Sequence, residues 1–223
     1  MPRYVNGHSN KQMRPHRAMR FRPTIVVLAA GLGSRFGASE HKLAQPFGTS
    51  TVLATTLRHA IETQLPIVLV TTERLAPLAA RLLARRDIVV LPAADAARGM
   101  GASIATGVAE RSGAPGWLVL PGDMPLVQPA SIHAVAAALE QHVIAYAQHR
   151  GRRGHPVGFS AELYSELVTL SGDEGARRIV ARYPAHGQEV DDRGVLVDID
   201  TPAELEAARA AAGAGGGTEP ART

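Results

Sequence analysis

A chain of 223 residues, 45% hydrophobic and 20% charged, has the make-up of one ordinary globular domain with tails, which excludes global disorder. It contains no cysteine, so it has no disulfide, thiolate metal site or cysteine nucleophile, and a cytoplasmic location fits. The formal charge of +4 is concentrated at one end: residues 1–22 hold six basic residues and no acid, leaving 18 basic against 20 acidic residues in the rest, a net of −2.

In chain order, residues 1–22 carry Arg3, Lys11, Arg14, Arg17, Arg20 and Arg22 without apolar periodicity or a signal-peptide core. They are expected to form a disordered basic extension, with Met19 a candidate start and a phosphate-binding arm the competing reading. Because the basicity lies in this extension, a nucleic-acid partner is not expected of the body. Residues 23–212 are expected to form one domain, followed by a solvated Gly-rich tail at 213–223. No apolar run approaches the roughly 20 residues of a membrane helix, so no membrane association is expected.

Within the body, short apolar runs at 24–29, 67–71, 88–91, 117–120 and 143–147 read as buried strands. The intervening segments 51–63, 75–86, 101–111, 129–141, 161–170 and 174–183 read as helices. A last helix at 202–212 is announced by Thr201, Pro202 and Glu204, which have the spacing of a capping box. The alternation predicts a single three-layer α/β domain with a mostly parallel sheet. In such folds ligands sit beyond the carboxyl ends of the strands, so the loops there hold the candidate site.

The first strand runs through Leu28, Ala29 and Ala30 into Gly31-Leu32-Gly33-Ser34-Arg35-Phe36-Gly37, and Lys42 follows five residues later. Glycines that let the backbone approach, with Arg35 and Lys42 for charge, are a recipe for holding phosphate, although Gly-rich turns after strands are also common for purely structural reasons. The dinucleotide fingerprint fails here, because the spacing is G-x-G-x-x-x-G and residues 50–61 contain no acid. The Walker A pattern fails as well, because Lys42 lies between His41 and Leu43. Lys42 is also the only lysine of the body in a chain with 22 arginines.

Asp123, after the 117–120 strand and between Gly122 and Met124-Pro125, is placed either to hold a divalent cation or to support its own turn. Residues 195–200 read as a further strand whose alternation sets Asp198 and Asp200 on one face. Gly99-Met100-Gly101-Ala102-Ser103 opens a helix with glycines that permit close approach. Asp173, in Gly172-Asp173-Glu174-Gly175-Ala176-Arg177, reads as a helix N-cap.

In this order, these segments together with Gly154-His155-Pro156-Val157 and Asp198-Ile199-Asp200-Thr201-Pro202 resemble the molybdenum cofactor nucleotidyltransferases, most closely the cytidylyltransferase branch. The resemblance spans about residues 23–212; Ala29-Ala30 looks like the cytidylyl form, where the first loop of the guanylyl branch reads Leu-Ala-Gly-Gly. The Gly37-to-Lys42 spacing is a residue or two longer than is usual in that family.

The resemblance implies a Rossmann-like nucleotidyltransferase that uses Mg²⁺. It implies catalytic roles for Arg35, Lys42 and Asp123, with Mg²⁺ on Asp123 and Asp200, Asp198 being the alternative second ligand. It places CTP, or GTP, on Leu28, Ala29, Ala30, Gly31, Gly33, Ser34, Gly99, Met100, Gly101 and Ser103. It places a molybdopterin-type acceptor on His155, Asp173, Gly175, Ala176 and Arg177. The implied reaction is in-line attack of the acceptor's terminal phosphate on the α-phosphorus of CTP, releasing pyrophosphate, with a molybdenum hydroxylase or its chaperone as recipient. Transfer to another small phosphorylated acceptor, a nucleotide-binding regulator and a nucleic-acid-binding protein are the competing readings.

Overall fold

The computed structural model describes residues 21–31 and 41–215. Seven strands form one sheet: β1 (Thr24–Ala29), β4 (Ile67–Thr71), β5 (Ile88–Val90), β6 (Gly116–Pro121), β7 (Ile144–His149), β8 (Arg152–Ser160) and β9 (Ala185–Glu189). Their spatial order is β5-β4-β1-β6-β8-β7-β9, and only β8 runs against the others. A two-stranded ribbon, β2 (Pro46–Phe47) with β3 (Ser50–Thr51), stands apart.

β1 is buried on both faces because its residues alternate between two cores. Ile25, Val27 and Ala29 pack with α1 (Val52–Glu62), α5 (Pro129–Ala138) and α8 (Pro202–Gly215). Val26 packs on the opposite face with Ile104 and Val108 of α4 (Met100–Glu110) and with Ile179 and Val180 of α7 (Arg177–Arg182). The result is a three-layer α/β domain. The chain moves outward from β1 to β4 and β5, then returns to β6 on the other side of β1, so the carboxyl ends of β1 and β6 flank the reversal point where such sheets bind ligands.

The five expected strands are present within a residue or two. No apolar run announces β8 and β9. β8 contains Arg152, Arg153, Gly154 and Pro156, and β9 reads Ala-His-Gly-Gln-Glu at the sheet edge, so both form on backbone pairing without an apolar pattern.

Several expected helices are shorter. Residues 75–86 hold only α2 (Ala76–Ala79) before turns lead to a 3₁₀ turn at Arg85–Asp87, because Leu78, Leu82, Leu83 and Ile88 all turn toward the core. Residues 161–170 hold a 3₁₀ turn and α6 (Tyr164–Leu167), and α3 (Ala93–Ala96) is a single turn. Residues 195–200 are not a strand: the 3₁₀ turn Arg193–Leu196 leads into irregular chain. α8 continues to Gly215, past the expected end at 212, along an Ala-rich run with high helix propensity. Among the described residues, no helix is long and apolar enough to cross a membrane.

Candidate active site

The turn after β6 is held from three sides. The Gly122 amide donates to the Leu28 carbonyl at 2.8 Å, and the buried Thr56 hydroxyl of α1 donates to the Gly122 carbonyl at 3.0 Å. The Ile199 amide donates to the Asp123 carbonyl at 3.1 Å. Ile199 itself is fully buried, so the extended chain around it presents Asp198 and Asp200 together on the opposite side. The alternation argument therefore gives the right placement although no strand forms there. Thr56 is a supporting residue that the sequence did not announce.

At this point Lys42 Nζ lies 2.6 Å from Asp123 Oδ2 and 2.6 Å from Asp200 Oδ1. One ammonium thus joins carboxylates from the β6 turn and from the approach to α8. Burial pushes the Lys42 ammonium toward deprotonation, but Asp123 and then Asp200 outweigh it, and its pKa is raised. Burial raises the Asp123 carboxyl above the usual carboxylate range; Lys42 pulls it back and Asp198 pushes it further up. The other carboxylate oxygen, Asp123 Oδ1, is buried without a hydrogen-bond partner among the described residues. A buried orphan carboxylate oxygen next to a second carboxylate is the donor chemistry a hard divalent cation needs. Among the described residues no group of three or more His, Asp or Glu forms a ready-made metal cluster, so substrate oxygens would have to complete the shell.

Asp200 is positioned by the capping box. Glu204 Oε2 accepts the Asp200 and Thr201 amides at 2.9 and 2.8 Å, and the Glu204 amide donates to Thr201 Oγ1 at 3.3 Å. These bonds hold the Glu204 carboxyl below its ordinary value. Glu204→Ala is expected to cost about 1 kcal/mol of stability, as a lost cap does. It should also lower turnover through a displaced Asp200. Urea denaturation beside steady-state kinetics checks both.

Lys42 is held in place by its neighbour. The buried His41 donates from Nε2 to the Gly31 carbonyl at 2.8 Å, and its Nδ1 accepts the Leu43 amide at 3.2 Å. That pair of bonds requires the neutral ring, and burial lowers its pKa accordingly. The sequence offered His41 only as a spacer.

A cavity of about 1000 Å³ spreads from this cluster across the sheet ends. Leu28, Ala29, Ala30, Gly31, Lys42, Gly99, Met100, Ser103, Asp123, His155, Asp173, Ala176, Arg177, Asp198 and Asp200 all line it. Gly33, Ser34 and Arg35 lie outside the described residues.

Gly101 and Gly175 are not in the cavity wall. The Gly101 amide donates to the Gly172 carbonyl at 2.9 Å, and the Gly172 amide to the Arg98 carbonyl at 2.8 Å, so the two Gly-rich segments are laced together. Gly99 has φ +90°, and a methyl group there would stand 2.5 Å from the Gly172 carbonyl carbon. Gly99 and Gly101 serve this backbone contact, and Gly175 lies against the Met100 side chain. Asp173 does not cap a helix as expected, since left-handed Gly172 and Gly175 delay the start of α7 to Arg177; it borders the cavity beside Gly99. Met100 is 48% exposed, an apolar surface at the cavity wall suited to a planar ring.

On the β8 side the cavity is cationic. Arg153 and Arg177 line it, with the Arg153 guanidinium 4.7 Å from the Tyr146 ring centroid. Burial, then the charge of Arg177, lowers the Arg153 pKa. Arg153 was missed because it adds to an Arg-rich turn with no motif of its own.

His155 is lowered to about 4 by burial and by Arg153, so it is neutral near pH 7. Because its folded pKa lies below the unfolded value of 6.5, the unfolded chain takes up protons first as the pH falls. Stability is therefore expected to decline between pH 6.5 and 4, by about 2–3 kcal/mol at most. His155→Gln should flatten this part of the urea midpoint against pH.

Comparisons with known proteins identify the family. The model of the MobA-like NTP transferase domain matches residues 25–189. The purine catabolism protein PucB of Bacillus subtilis is 34% identical over 203 residues, covering 83% of this chain and 95% of the relative. The molybdenum cofactor cytidylyltransferase of Escherichia coli is 26% identical, covering 82% and 94%. The crystal structure of Rv0371c from Mycobacterium tuberculosis superposes with a TM-score of 0.73 at 28% identity, covering 85% of this chain and 98% of that one. The same mycobacterial protein has also been crystallised as a manganese complex, which matches at TM-score 0.69 and 27% identity, covering 83% and 97%. With the family model matched over most of its length, this chain belongs to the MobA-like NTP transferases.

Proposed function

We propose that this chain moves CMP from CTP to the terminal phosphate of a molybdopterin-type cofactor and releases pyrophosphate. The observation that carries the reading is a single cavity with the Lys42–Asp123–Asp200 cluster on one wall and the Arg153–Arg177 pair on another. Its volume of about 1000 Å³ suits two ligands side by side.

In this reading the β1 end and Lys42 receive the triphosphate. Lys42 leaves its carboxylate partners to neutralise charge on the departing pyrophosphate. Asp123 and Asp200 would hold Mg²⁺, which supplies Lewis-acid charge to the phosphate oxygens. Met100 and Ser103 face the nucleoside. Arg153, Arg177 and neutral His155 orient the acceptor, with the two arginines taking its anionic groups. An acceptor phosphate is already ionised near neutral pH, so no general base is required, and catalysis reduces to positioning and charge compensation. Arg35 would add a further cation.

The choice of CTP rests on Ala29-Ala30 and on the likeness to the Escherichia coli cytidylyltransferase. A different phosphorylated acceptor is favoured by the higher identity to a protein named for purine catabolism. The test is pyrophosphate release from each nucleoside triphosphate with Mg²⁺, with and without molybdenum cofactor. CTP turnover strictly dependent on that cofactor is expected; turnover with a sugar phosphate instead, or without any acceptor, overturns the proposal.

A further inference from the structure

A second cavity, of about 500 Å³, is lined by His149, Arg150, Arg152, Asp191, Arg193 and Leu196. Along β8, Arg152 borders this cavity and Arg153 the larger one, as successive strand residues on opposite faces should. Leu196 lines both. The segment carrying Arg193 and Leu196 presses on β8 where Gly154 has no side chain, since a methyl there would collide with the Val195 carbonyl. Three guanidinium groups therefore converge with a single carboxylate, and none of the three is engaged in an ion pair among the described residues.

The hairpin that presents them is conformationally costly. Arg150 and Gly151 both have positive φ, +51° and +75°, the two-residue turn for which Asn-Gly is the favoured sequence. An arginine in the left-handed region is disfavoured by its own Cβ. The turn persists because Glu189 accepts the Arg150 and Gly151 amides and because the Nδ1–H of His149 donates to the Val190 carbonyl at 2.9 Å. A strained arginine beside two others unpaired, in a concave site, points to a ligand that uses it.

We propose that this cavity binds the polyphosphate group of a small phosphorylated ligand, at a site distinct from the nucleotidyl-transfer cavity. Planar guanidinium forks match phosphate oxygens two at a time. The volume exceeds what one phosphate fills, and the lining is dominated by the three guanidinium groups, with the His149 imidazole tied to the Val190 carbonyl, so recognition falls on the anionic groups. Because the 193–196 turn leads directly to Asp198 and Asp200, an anion drawing Arg193 toward the β7–β8 hairpin would steady the chain that carries a carboxylate of the first site.

The probe is pyrophosphate, titrated calorimetrically into the full chain in EDTA at about 0.15 M salt, where surface charge is screened within about 8 Å. Arg150→Asn/Arg152→Gln/Arg193→Gln should weaken binding about tenfold or more, the order expected for three partly exposed charge pairs. Arg153→Gln/Arg177→Gln, in the other cavity, should leave it intact. Arg150→Asn alone should weaken binding while keeping or raising the melting temperature, since asparagine tolerates positive φ; this separates the site from a folding defect. The affinity lost in the triple variant should be the same for a nucleoside triphosphate as for pyrophosphate, as recognition of the polyphosphate alone requires. Unchanged affinity in the triple variant, loss in the Arg153/Arg177 variant, or equal binding of an Asp/Glu-rich peptide would overturn the proposal.

Discussion

Asp123→Asn is expected to lower nucleotidyl transfer about a thousandfold, the scale on which a preorganised charge at a phosphoryl-transfer centre acts. The same variant should stay folded. Burial makes the Asp123 charge expensive to keep, as its raised pKa records, and its unsatisfied Oδ1 adds to the cost. An amide of the same shape removes the charge while Lys42 keeps Asp200 as its partner. Stability is thus expected to stay within about 1 kcal/mol of the parent or to exceed it. Pyrophosphate release and thermal melting on one preparation test this. An Asp123→Asn protein that melts normally and turns over normally would remove Asp123 from the catalytic machinery.

Lys42→Met should behave in the opposite way. It removes from Asp123 and Asp200, with Asp198 nearby, the ammonium that joins them. Leaving buried charge uncompensated costs about 3 kcal/mol or more. A divalent cation can supply the missing positive charge, so Mg²⁺ should raise the melting temperature of this variant by more than it raises that of the parent. Turnover should still fall about a hundredfold, because the cation that remains is no substitute for a mobile ammonium on the pyrophosphate. A melting curve insensitive to both the substitution and Mg²⁺ would show that the three side chains do not form one electrostatic unit.

The central sheet was legible because β1, β4 and β6 are buried on both faces and so must be written in β-branched and aliphatic residues. The same physics hid β8. Its first half, Arg152–Gly154, belongs to the ligand-facing rim, where polar and small residues are wanted and the hydrophobic period is absent. β9 sits at the edge and pairs without an apolar pattern to announce it. At the site, Lys42, Asp123 and Asp200 could be picked out by residue type and position beyond strands. That Lys42 would bridge the two carboxylates could not, since a salt bridge over 81 and 158 residues leaves no local trace. Thr56 and His41 escaped for the same reason: each matters through a backbone group that no motif records. Gly101 and Gly175 do not line the cavity: Gly101 admits another stretch of backbone, at Ser171–Gly172, and Gly175 lies against the Met100 side chain.

The bond from His41 to Gly31 has a consequence for tolerance to length change. It ties together the two ends of the segment between them, and Lys42 sits just outside that tie. Closing a loop grows only logarithmically more costly with length, so two additional residues in one of this size cost about 0.2 kcal/mol. Segment length and lysine position become independent variables, and a segment between Gly31 and His41 one or two residues longer can be carried without displacing the ammonium from its carboxylates.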